Sequence, residues 1–150
     1  MKLAEALQER ADLNRNLAQL NARLSSNALV QEGEKTAEDP AELIKQLDAS
    51  VARLEELMAR INLTNCKTES NGVSITQMIA RRDCLKLKLS AYKTLVYEAS
   101  QTARRASRTE IKVMSAVDVR KLQKTVDKLS AELRETDNAI QALNWNTELL

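Results

Sequence analysis

Apolar residues recur along most of this chain in alternating steps of three and four, the spacing that places them on one face of an α-helix. Leu3, Ala6, Arg10, Leu13, Leu17, Leu20 and Leu24 form the first stripe and predict a helix over about 2–24. Ile44, Leu47, Val51, Leu54, Met58, Ile61 and Asn65 form the second, over 40–65. Ile75, Met78, Arg82, Leu85, Leu89, Tyr92, Val96, Ala99 and Ala103 form the third, over 74–103. Val119, Leu122, Val126, Leu129, Leu133, Thr136, Ile140 and Leu143 form the fourth, over 118–143. Each apolar side chain of the second stripe contributes about 1.5–3 kcal/mol when packed, which outweighs local propensity. That helix needs a partner.

Helix starts are marked by capping residues. Asp39 is a good N-cap, Pro40 fits the first helical position without losing a needed donor, and Glu42 completes a capping box. Ser74 and Gln77 form a second box, and Asp118 caps the fourth helix. Between the second and third helices, Asn71-Gly72 tolerates the left-handed backbone of a sharp reversal. The turn from Cys66 to Val73 is short, so these two helices are expected to be antiparallel neighbours. Residues 39–103 thus read as a central helical hairpin.

Two linkers flank it. In 25–38 and 104–117 the helical period fades, leaving apolar centres at Ala28-Leu29-Val30 and at Ile111, Val113 and Val117. Their alternation predicts that the stretches around Leu29 and Val113 extend and pair as a small two-stranded ribbon, under helical or intersubunit cover. The expected fold is all-α: four long helices in an antiparallel bundle or coiled-coil arrangement, one domain over 1–150. The layout is nearly symmetric, without a residue-level repeat.

Composition sharpens this picture. The chain has no Phe, one Trp and two Tyr, so the core must be built from Leu, Ile, Val, Met and Ala. Two Gly and one Pro in 150 residues leave few turns and therefore few, long elements. Asn14 and Asn21 lie one heptad apart beside the first stripe, where they either fix register as buried amides or border solvent. The net charge of +2 is milder than nucleic-acid-binding domains show.

No run of 18 apolar residues encodes a transmembrane helix. Glu5, Glu9 and Arg10 interrupt any apolar signal-peptide core, so a cytoplasmic protein is expected. Asn62-Leu63-Thr64 matches a glycosylation acceptor, but acts as one only on a secretory route. Cys66 and Cys84, about 15 Å apart by helical rise, lie beyond disulfide reach and read as free thiols.

Chemistry is thinly represented. Absence of His removes the commonest general base and the commonest metal ligand. The chain has no Gly-rich phosphate loop and no Cys cluster with metal-ligand spacing. Glu55-Glu56 and Glu132 with Glu135 read as solvated helix faces beside basic neighbours. The expectation is a non-enzyme with no catalytic, cofactor-binding or metal-binding residues. A candidate interaction surface remains: Arg104, Arg105, Arg108 and Lys112 in the second linker, and Trp145 near the end of the fourth helix. The four basic residues suit either phosphate contacts or solvation of the surface. Arg82, on the third stripe, suits a buried or intersubunit ion pair.

Several stretches resemble a family of small, uncharacterised bacterial helical proteins labelled septicolysin-like. They are Met1 to Arg10, Val30 to Glu34, Asp39-Pro40, Ala80 to Asp83, Ser107 to Lys112 and Leu143 to Leu149, and together they span almost the whole chain. The label evokes a pore-forming cytolysin, a large, β-rich, secreted class unlike this short helical chain, so the resemblance implies no functional residues. The leading expectation is a self-associating helical structural or interaction protein, a homo-oligomer. A nucleic-acid-binding module using the 104–112 basic cluster is the alternative, and a membrane-active protein is a third.

Overall fold

Helix α1 (Leu3–Ser26) starts where the Glu5 carboxylate accepts the Lys2 N–H at 2.7 Å, satisfying a donor that the first turn leaves open. It buries Leu3, Ala6 and Leu20 and partly buries Arg10, Leu13, Leu17 and Leu24, the predicted stripe. Asn14 and Asn21 are exposed, and the Asn14 side chain donates back to the Arg10 carbonyl at 3.0 Å. They border solvent. The computed structural model describes residues 1–102 and 111–150. Packing divides the chain into two compact units, 1–74 with 143–150, and 75–142.

In the first unit α1 packs antiparallel on α2 (Pro40–Lys67). The antiparallel sense follows from the ion pairs, Arg23 to Glu38 at one end and Glu9 to Arg53 farther along. Asp39 caps α2 by accepting the Ala41 N–H at 3.0 Å, and Pro40 begins the helix, as expected. The partner that α2 requires within its unit is therefore α1, reached through the first linker. That linker closes tightly: the Asn27 side chain donates to the Arg23 carbonyl at 2.9 Å and accepts the Glu38 N–H at 2.9 Å. Arg23 also grips the Glu38 carboxylate through Nε, at 3.0 and 3.1 Å.

The seam of α2 is rotated from the predicted stripe. Leu43, Leu57, Ile61 and Thr64 are buried and Leu47 and Leu54 partly so, whereas Ile44, Val51 and Met58 are 50%, 47% and 46% exposed. The periodicity contains both lines because Leu43 precedes Ile44 and Leu57 precedes Met58. Packing against α1 selects the earlier member of each pair.

The reversal after α2 is a β-hairpin. Strands β1 (Glu69–Ser70) and β2 (Val73–Ser74) pair antiparallel, with Ser70 opposite Val73. The two-residue loop between them holds Asn71 and Gly72 at φ of +53° and +76°, the backbone that such a loop demands. A small two-stranded ribbon is thus present, but at this turn rather than in the linkers. Leu29 lies in irregular backbone and is 91% exposed; Val113, also irregular, is exposed as well. Neither has the tight two-residue loop that offsets the cost of aligning so short a pair of strands.

The second unit pairs α3 (Ile75–Ala99) with α4 (Val119–Asn146). Leu85 and Leu89 meet Val126 and Leu129, and Tyr92, Val96 and Leu133 pack around them. Arg82, three-quarters buried, pairs within the chain with Asp83 at 2.8 Å and Asp137 at 3.9 Å; Arg81 reaches Glu132 at 3.8 Å. The Asp118 carboxylate caps α4 by accepting the Lys121 N–H at 3.0 Å. α3 ends at Ala99, four residues short of the predicted end; Ala103 lies outside the described residues.

Candidate interaction surface

Trp145 projects from the last turn of α4, in the segment that packs with the first unit. Its position is set by pairing between the two ends of the chain. The Leu3 N–H donates to the Thr147 carbonyl and the Leu149 N–H to the Met1 carbonyl, both at 2.9 Å. Lys2 and Glu148 form an antiparallel bridge, and the Lys2 ammonium reaches the Glu148 carboxylate at 2.7 Å. Beyond it, Leu149 is buried, the Leu150 N–H donates to the Thr64 hydroxyl at 3.0 Å, and Arg60 Nε donates to the Leu150 carbonyl oxygen at 2.7 Å. Asn144 is buried beside this seam.

These contacts hold the helix end while leaving Trp145 63% exposed. An open, mainly apolar groove of about 420 Å³ lies beneath the indole, lined by Met1, Ala4, Glu5, Gln8, Glu9 and Asp12. The lining residues from α1 recur at three- and four-residue steps, which puts them on one helix face. Glu9 is held by Arg53 through two hydrogen bonds, at 2.7 and 3.0 Å. The Arg53 guanidinium keeps the Glu9 carboxyl below the ordinary carboxylate range. Glu148, bonded to Lys2 and the Met1 ammonium, is lowered likewise.

The other predicted surface residues fall elsewhere. Lys112 is exposed in the second unit, and Arg104, Arg105 and Arg108 lie outside the described residues. Arg60, Glu148 and the Glu9–Arg53 pair were not singled out by sequence reasoning, and Thr64 only as part of the Asn62-Leu63-Thr64 match. No sequence signal pointed to them, because each acquires its partner only through contacts between residues far apart in the chain. Cys66 and Cys84 are both exposed and are not joined in a disulfide, as their spacing predicts. Among the described residues, no helix is long and apolar enough to cross a membrane, and no three Cys, Asp or Glu side chains gather as a metal site.

Paired amphipathic helices, a two-residue β-turn and an exposed Trp groove define a small all-α protein. The chain belongs to a family of unknown function, DUF6847, whose family model matches residues 10–149. It is similar over its whole length to a functionally unknown conserved protein from Corynebacterium diphtheriae, seen in a crystal structure. The two are 39% identical with a TM-score of 0.92, and the match covers 100% of this chain and 99% of that one. No match is found among the curated proteins. The resemblance to a septicolysin-like family is thereby corrected, since both matches point to DUF6847 and to a protein of unknown function. The stretches behind that resemblance include the Asp39-Pro40 helix cap and the paired chain ends.

Proposed function

We propose that this protein is a non-catalytic interaction module that associates with a second copy of itself through the outer face of α2. The observation that carries this reading is the stripe Ile44, Val51 and Met58, spaced seven residues apart and each about half exposed. Apolar residues at heptad spacing beside a packed seam are suited to cover by another helix. Asp48 and Glu55, each four residues after a stripe member, border the stripe, and Lys45 adjoins Ile44, giving its border charges of both signs for an antiparallel copy to pair. Two exposed cysteines, Cys66 and Cys84, outside any disulfide fit a reducing, cytoplasmic setting.

Sedimentation velocity from nanomolar to tens of micromolar tests the proposal. The expected result is a concentration-dependent shift to a larger species, abolished in the Val51→Lys, Met58→Lys double variant. A compact monomer throughout that range would remove self-association from consideration.

A further inference from the structure

The groove under Trp145 is built from α1 and the end of α4, not from α2 with its Ile44–Val51–Met58 stripe, and has a distinct chemistry. Its floor is apolar, built from Ala4, the Met1 side chain and the exposed indole. Its α1 wall carries three carboxylates, of which Glu9 is engaged by Arg53 and Asp12 by Arg15. Glu5 forms no ion pair among the described residues; its carboxylate accepts only the Lys2 main-chain N–H. The Trp145 indole N–H likewise has no hydrogen bond among them. An exposed aromatic face beside an uncompensated carboxylate is complementary to one kind of group, a cation carried on an apolar stem.

We infer that this groove docks a protein partner through an Arg- or Lys-bearing segment flanked by apolar residues. The cation stacks on the Trp145 indole and pairs with Glu5, while the flanking side chains cover Ala4 and Met1. Arginine suits the position better than lysine, because its planar guanidinium can lie on the ring and still donate edgewise to a carboxylate. Gln8, whose amide already donates to Asp12 at 3.2 Å, borders the groove and keeps its carbonyl oxygen free to accept.

Because Trp145 is the single Trp, its emission reports on the groove directly. The probe is a capped peptide of Leu, Ala and two Arg, compared with the same peptide carrying Glu in place of Arg, titrated into the full chain. The expected result is a saturable change in emission with the Arg peptide alone, weakening as salt is raised. Glu5→Gln keeps the main-chain cap, since glutamine also accepts that bond, and should weaken binding by about two- to fivefold. Trp145→Leu, followed by calorimetry, should weaken it more than Glu5→Gln. Circular dichroism confirms that both variants fold, and Gln8→Lys, which places a like charge at the exposed rim of the groove and should abolish the response to the Arg peptide, serves as a second variant should either fail to do so. Equal response to the acidic peptide, no response to the Arg peptide, or unchanged affinity in folded Glu5→Gln would overturn the inference. So would a shift in Trp145 emission on dilution of the chain alone, which would place a second copy in the groove.

Discussion

The Thr64 hydroxyl accepts the Leu150 N–H at 3.0 Å while donating to the Arg60 carbonyl one helical turn back at 2.8 Å. Thr64 is fully buried, so this one side chain anchors the last residue to the interior of the first unit. Thr64→Val keeps the shape and removes both bonds. It should lower unfolding free energy by about 1 kcal/mol and leave the Leu150 amide exchanging at the rate of an open chain. Chemical denaturation and hydrogen exchange measure the two effects separately.

Leu57 and Met58 are sequence neighbours with opposite environments, 0% and 46% exposed. Leu57→Ala leaves a cavity between α1 and α2 and should cost about 2–5 kcal/mol. Met58→Ala should cost under about 1 kcal/mol in dilute, monomeric chain. Urea titrations at nanomolar concentration check the contrast. Equal losses would mean that the seam runs through Met58 instead.

Gly72 holds φ at +76°, and a Cβ placed there would meet nothing within 4 Å. Any penalty for Gly72→Ala is therefore conformational rather than steric contact with neighbours. The expected loss is about 1–2 kcal/mol, the cost of a left-handed L-residue. Thermal unfolding of Gly72→Ala beside Gly72→Asn tests this reasoning, because asparagine tolerates that backbone and should lose less.

Among the described residues, four carboxyls sit below their ordinary range: Glu9 and Glu56 bonded by Arg53, Glu38 by Arg23, and Glu148 by Lys2. A depressed folded-state pKa contributes stability that is fully present above the unfolded value and is lost as pH falls through the folded one. Stability should therefore hold from neutrality to about pH 5 and decline steadily below it. Arg53→Met should flatten that decline, since two of the four carboxyls depend on it. Melting midpoints across an acid series provide the measurement.

The four stripes read from the sequence correspond to the four helices, and Asp39 and Asp118 cap where expected, because period and capping are local properties of the backbone. Along α1 and α4 even the buried line was legible, since each has one apolar face. On α2 two apolar lines run side by side, and only contact with α1 decided that Leu43 and Leu57 go inside and leave Ile44 and Met58 out. Asn71-Gly72 announced a reversal, yet its neighbours were too short and polar to show strand alternation, so the ribbon was placed in the linkers instead. Trp145 was visible as a surface candidate. Its groove was not, because Glu5, Gln8 and Asp12 reach it only when the ends of the chain pair through Leu3, Thr147 and Glu148. Periodicity, acting over one or two turns, determined which segments are helices. Which helices pair, and what they leave exposed, depended on contacts between residues far apart in sequence, and only the tertiary structure decided those.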